Sequence, residues 1–285
     1  MQEQGTNWGG GTVSSNQTVN PHNYGVSPPI AQLRFTDFDA MAAGGYHIYS
    51  SPTNFTFTSL LLQDCSFNSA AFLLDGPSNS ILGLTNNIFE RVEFWFQDAP
   101  QISFYNNLVR YSTNFFTINA GTNNWMFKDN AFDNSWITDW GNPVTASYNV
   151  FINMGTNRFS STSTNDQVLT SFTYASGTLG SYYQSSTNLI GVGSVTNAAL
   201  RGLYHYTTQT SQTKEANSVL DLGFHYVAVD ANGNPIDTDG DGIPDYVEDR
   251  NGNGTYDSGS EIDWQTSNSG ISGGSGLQVF TPVKP

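Results

Sequence analysis

The sequence predicts an all-β chain whose main part is a parallel β-solenoid, and three observations carry that expectation. A unit recurs at residues 60–67, 82–89, 102–109, 125–132 and 144–151, with spacings of 22, 20, 23 and 19 residues. Its equivalent positions stack into apolar columns: Leu60, Leu82, Ile102, Trp125 and Val144; Leu62, Leu84, Phe104, Phe127 and Ala146; Phe67, Phe89, Val109, Phe132 and Phe151. A period near 20 residues that opens on an alternating strand suits one coil of a solenoid, whose apolar face is buried only by stacking on the next. The composition agrees: 14% aromatic and only 12% charged residues, with Asn, Ser, Thr and Gly abundant, favour strands and turns over helices.

Taken in order, residues 1–54 read as an N-terminal arm and cap: 5–30 are rich in Gly, Ser, Asn and Pro, and 31–50 are placed to close the open end of the stack. Residues 55–229 form the solenoid, irregular over 155–218 where the repeat fades into Ser- and Thr-rich sequence. Between the second and third columns runs Cys65, Asn87, Asn107, Asn130 and Asn149, at a bend where backbone groups lose their ladder partners. Stacked amides satisfy both one another and that backbone. Further on, Phe72-Leu-Leu, Phe94-Trp-Phe, Phe115-Phe and Trp136-Ile supply the second strand of each coil.

These Asn-Asn-x-Phe bends make residues 55–155 resemble the right-handed parallel β-helix repeat proteins of bacteria, a superfamily that includes pectate-lyase-like enzymes and many surface proteins without enzymatic activity. The resemblance implies a right-handed coil, and Val219-Leu-Asp-Leu-Gly-Phe-His-Tyr-Val227 is similar to the strand that often closes such helices.

The charge is unevenly spread. The net charge is −15, yet residues 237–263 hold nine carboxylates and one base, Arg250. A boundary is therefore expected near residue 230, with a calcium-binding segment over 230–264. The run Asp237-Thr-Asp-Gly-Asp-Gly-Ile-Pro-Asp-Tyr-Val-Glu248 places Asp237, Asp239, Asp241, Asp245 and Glu248 at positions 1, 3, 5, 9 and 12 of a calcium loop, with the carbonyl of Ile243 at position 7. Five carboxylates this close repel one another unless a cation neutralises them. A second loop starts at Asp249, with Asn251, Asn253, Thr255 and Asp257 in place and Glu261 one residue late. The pair resembles thrombospondin type-3 or dockerin-like calcium repeats of secreted bacterial proteins, so Ca²⁺ is the expected cofactor and a secreted or cell-surface location is expected with it. The four histidines are scattered and read as structural.

Chemistry on the solenoid has weaker candidates. Lys128 and Arg110 on adjacent coils have the charge to hold and deprotonate an acidic sugar, and Asp64 and Asp129, three coils apart, are the carboxylates for hydrolysis. Against this, the column Asn68, Glu90, Arg110, Asp133, Ile152 alternates in sign, as a structural ion-pair ladder does. Tyr105, Trp95, Trp136 and Trp140 are candidates for glycan contact, although their strand periodicity also fits packing.

The leading functional expectation is an exported, calcium-stabilised β-helix module of a bacterial surface or extracellular matrix protein, structural, adhesive or glycan-contacting, with a polysaccharide or neighbouring copies of itself as partner. A polysaccharide lyase or glycoside hydrolase is the alternative. The acidic balance excludes nucleic acid, and no apolar run is long enough for a membrane span. Residues 265–285 read as a linker and a terminal strand at 277–283, suited to donation to a neighbour.

Overall fold

A computed structural model describes residues 17–19, 30–39, 45–50, 57–75, 80–97, 101–117, 124–140, 144–161 and 163–267. The chain divides into two compact units at Phe172 and Thr173. The expected strand at 277–283 and most of the expected arm lie outside the described residues.

The first unit is an all-β parallel solenoid. Each full coil carries three strands, one more than the apolar segments suggested, because a three-residue strand intervenes after the Asn bend. Among the described residues the strands assemble into three parallel sheets of six, six and seven strands. One contains Ser59–Gln63, Ile81–Thr85, Gln101–Tyr105 and Asn124–Lys128, paired in the predicted register: Leu60 with Leu82, Leu82 with Ile102, and Ile102 with Trp125. A second contains the short strands Ser66–Asn68, Ile88–Glu90, Leu108–Arg110, Ala131–Asp133 and Val150–Ile152. The third contains Ala71–Asp75, Glu93–Gln97, Thr113–Thr117 and Trp136–Thr138.

The columns fill the core. Phe67 stacks on Phe89 at 5.0 Å between ring centroids and Phe132 on Phe151 at 5.6 Å, all four buried. Burying each such ring contributes roughly 1.5–3 kcal/mol, and no isolated coil could bury them on both sides.

The solenoid reaches further than the repeat did. Strands described within 30–39 continue the coil: Ile30–Arg34 pairs with Ser59–Gln63, Asp37–Phe38 pairs with Ser66–Asn68, and Phe38 stacks on Phe67 at 4.4 Å. At the other end Gln167–Leu169 pairs with Val150–Ile152. The core is closed there by Phe159, which packs on Phe116, Phe127, Phe132 and Phe151. Asp139 fixes that segment by accepting the Ser160 N–H at 2.7 Å and its hydroxyl at 2.9 Å.

The second unit contains no coil among its described residues. It is built on two antiparallel pairs, Tyr174–Gly177 with Gly180–Gln184 and Tyr206–Thr207 with Tyr226–Val227. The expected closing strand at 219–227 thus shrinks to two residues and runs antiparallel to its neighbour. The acidic segment is docked on the residues before it, since the Tyr204 N–H donates to the Gly252 carbonyl at 3.0 Å and Trp264 packs edge-on against His205 at 5.0 Å. Gly202 and Gly252 face each other with φ of +72° and +65°; a Cβ on Gly252 would overlap the Gly202 carbonyl oxygen. The charge step near residue 230 marks a change of chemistry inside one packed unit.

Candidate metal centre

The first acidic loop is shaped by its own side chains. Asp237 accepts the N–H of Gly240 at 2.8 Å and of Gly242 at 2.9 Å, one on each oxygen. Asp239 accepts the Asp241 N–H at 3.1 Å, and Asp241 accepts the Ile243 N–H at 2.9 Å. Left-handed backbone at Gly240 and Gly242, with φ of +74° and +95°, lets the chain wrap around these carboxylates. As a result Asp237, Asp239 and Asp241 present oxygens within 4.8 Å of one another.

Glu248 arrives from the one-turn helix Asp245–Glu248. It is 1% exposed, and neither carboxylate oxygen has a hydrogen-bond partner. Burial, then the charges of Asp241, Asp239, Asp245 and Asp237, push its pKa up to about 8. A buried carboxylate without donors costs free energy wherever it is ionised. Asp245, by contrast, is engaged: Thr238 donates to it through its N–H at 2.6 Å and its hydroxyl at 2.7 Å, and Lys214 Nζ lies 3.6 Å away.

The second loop repeats the wiring. Asp249 accepts the N–H of Asn253 at 3.1 Å and of Gly254 at 2.6 Å; Asn251 accepts the Asn253 N–H at 2.9 Å, and Asn253 accepts the Thr255 N–H at 2.6 Å. Asp257 accepts both amides, Asn251 Nδ2 at 2.6 Å and Asn253 Nδ2 at 2.9 Å. The one-residue slip of Glu261 is absorbed by the turn at Ser258-Gly-Ser260, because its two oxygens accept the N–H of Asn251 and of Asp257, each at 3.1 Å. The turn closes on a bridge between Ser258 and Glu261. Among the described residues only Asp237, Asp239 and Asp241 come together as a carboxylate cluster; in the second loop Asp257 and Glu261 are turned to amide and backbone donors instead. The donors of both loops are hard oxygens, the chemistry of Ca²⁺ rather than of a soft metal.

One participant escaped the sequence reading. His205 is 2% exposed and lies between the loops, Nε2 2.9 Å from Asp249 and Nδ1 3.6 Å from Asp245. Burial lowers its pKa, but the neighbouring Asp245 and Asp249 carboxylates outweigh that, so it stands above the ordinary imidazole value. No spacing signals this residue, since the fold carries it there from far along the chain.

The solenoid candidates separate. Arg110 is tied to Asp133 at 2.9 Å and lies over the Tyr111 ring, in the predicted register with Glu90 and Asp133. Lys128 is half-buried and belongs to a different sheet from Arg110. Asp64 and Asp129 are buried bend residues with φ of +56° and +62° rather than outward-facing groups. Asp64 accepts Arg34 Nε at 2.8 Å and Asn86 Nδ2 at 2.8 Å. Trp95 gives a face to Phe115 at 4.2 Å, and the Tyr105 hydroxyl contacts the Met126 sulfur at 3.5 Å. Trp136 and Trp140 remain more than half exposed.

No family model matches this chain, and no curated protein or solved structure is significantly similar to it. No helix among the described residues is long and apolar enough to cross a membrane.

Proposed function

We propose that this protein is a calcium-stabilised structural module: a rigid solenoid joined to a unit whose two acidic loops each hold one Ca²⁺. Asp237, Asp239, Asp241, Glu248, the carbonyl of Ile243 and Asp245 serve the first ion, Asp245 from the outer position. Asp249, Asn251, Asn253, Thr255, Asp257 and Glu261 serve the second. The observation that carries this reading is Glu248, buried beside four aspartates with both oxygens unbonded. A hard divalent cation supplies what those oxygens lack.

The ions act on stability rather than on a reaction. The ionised loops repel themselves; a bound ion reverses that and locks the acidic segment onto residues 202–206. Such weak loops fill at millimolar extracellular calcium, which supports a secreted or cell-surface setting. The solenoid then serves as a spacer or adhesive surface, with Trp136 and Trp140 the residues available to a polysaccharide or a second copy. The right-handed sense of the coil belongs to the same reading and follows the usual hand of parallel crossovers.

The test is thermal melting of the chain with calcium and with chelator, alongside metal content by mass spectrometry. The reading expects bound calcium and a higher melting temperature with it. An unchanged melt and no metal would defeat it. Product absorbance on a panel of uronic-acid polymers is expected to stay flat, and turnover lost in Lys128→Ala would establish the enzyme instead.

A further inference from the structure

Building on that calcium reading, we infer that the two loops fill as a coupled pair, with His205 as the positioning residue that joins them. Three observations converge. The last donor of the first loop and the first donor of the second, Glu248 and Asp249, are consecutive, and the Asp249 N–H donates to the Asp245 carbonyl at 2.9 Å. Any ion that fixes one therefore fixes the backbone of the other.

The second observation is the histidine itself. One buried ring faces Asp249 with Nε2 at 2.9 Å and Asp245 with Nδ1 at 3.6 Å. Those carboxylates belong to different loops, and each is already oriented by loop backbone: Asp249 by Asn253 and Gly254, Asp245 by Thr238. Nε2 is hydrogen-bonded to Asp249 and Nδ1 closely approaches Asp245 without a hydrogen bond, so displacing either carboxylate bears on the ring that faces the other.

The third is the anchorage of the ring. The segment 202–205 is pinned to the second loop by the Tyr204 N–H on the Gly252 carbonyl and by the close approach of Gly202 to Gly252. Trp264 closes on the ring at 5.0 Å and Lys214 faces Asp245 at 3.6 Å, so the imidazole has little room to turn. The first ion bears the ordering of this shared assembly and the second binds to a loop already ordered, which is positive coupling without a large conformational change.

The experiment is calorimetric titration of the full chain with Ca²⁺ alone at fixed pH. Each loop is silenced in turn, the second by Asp257→Asn with Glu261→Gln and the first by Asp239→Asn with Glu248→Gln. The affinity of a loop with its neighbour filled is expected to exceed its affinity with the neighbour silenced by about 5-fold or more. In His205→Phe, which fills the space but joins neither carboxylate, that ratio is expected to fall to about one, whatever happens to the individual affinities. A merely structural role would weaken both loops and leave the ratio intact. If His205→Phe does not fold, His205→Gln is read the same way, because one amide spans one carboxylate and not both. A ratio near one in the unaltered chain, or a ratio that survives both substitutions, overturns the inference. Absence of any calcium uptake would instead sink the underlying calcium reading.

Discussion

Asn107 accepts two hydrogen bonds from Asn87 on a single oxygen: the Asn87 N–H at 2.9 Å and its side-chain amide at 3.0 Å. Its own Nδ2 donates to the Leu84 carbonyl at 2.8 Å and to Asn130 at 3.1 Å, and Asn130 repeats the pattern onto Asn149. Each asparagine follows a bend residue in left-handed backbone, so the amide stack replaces ladder bonds that the turn removes. Replacing Asn107 by Leu leaves the buried Asn87 N–H without its acceptor and removes one hydrogen bond each from the Asn87 amide, which keeps the Leu62 carbonyl, and from the Leu84 carbonyl. At about 1 kcal/mol or more for each such group, Asn107→Leu is expected to cost about 3 kcal/mol, read as a lower denaturant midpoint. A shift below about 0.5 kcal/mol would show that water replaces the stack.

Arg110 has a comparable structural role on the neighbouring sheet. Asp133 is 3% exposed and bonded to it, so Arg110→Leu leaves a buried carboxylate with the Asn134 amide but no countercharge, at about 3 kcal/mol. The double change Arg110→Leu with Asp133→Leu should recover most of that loss, because two apolar side chains fit the same column. A catalytic role predicts no such recovery of anything, so the double variant separates ladder from active site by stability alone.

What the sequence made legible was whatever repeats at short range. The columns from Leu60 to Phe151 and the bend asparagines were readable because consecutive coils differ by only a few residues in length. The coil at Ile30–Arg34 was hidden because Ala31 pairs with Leu60, a step of 29 residues that the period does not contain. The last ladder position was hidden by chemistry: Asp166 accepts the Asn149 N–H at 2.9 Å, standing where the other coils have asparagine. Its strand is almost patternless, with Val168 exposed opposite Phe151. In the acidic loops the candidate oxygen donors were written in the spacing, while His205 and Lys214 entered only through tertiary packing. The charge step near residue 230 follows the acidic loops, whereas the compact units divide at Phe172 and Thr173, because charge density does not record where packing ends.

Glu248→Gln gives a test with opposite signs in two conditions. In chelator the substitution removes a buried, unbonded carboxylate and raises the melting temperature. In calcium it removes a donor and shrinks the calcium-induced shift, which for a filled site is about 2.7 kcal/mol at a hundredfold excess over Kd. A uniform drop in both conditions would mean that Glu248 is an ordinary packing residue.

Beside His205, whose raised pKa acts in the same sense, a second cluster in the same unit should shape the pH response. Asp221 accepts the Gly191 N–H at 2.6 Å and the Thr208 hydroxyl at 2.5 Å, and burial, then the charge of Glu215, pushes its pKa up to about 7. The folded chain thus keeps a proton that the unfolded chain gives up in the ordinary carboxylate range. That contribution to stability is complete at low pH and is lost as pH rises through about 7. His225, buried with Nε2 3.3 Å from Glu215, acts in the same direction. Burial lowers it, but Glu215 and Asp221 outweigh burial and hold it above the imidazole value, so its share also fades on the alkaline side. Glu215 is held low by His225 against its own burial and weakens the fold only on acidification. With calcium fixed and saturating, the melting temperature is expected to fall between about pH 6 and pH 8. Asp221→Asn keeps the shape and removes the titrating proton, so its profile should be visibly flatter over that interval. An Asp221→Asn slope equal to that of the unaltered chain would move the titration to another group and leave Asp221 a purely structural acceptor.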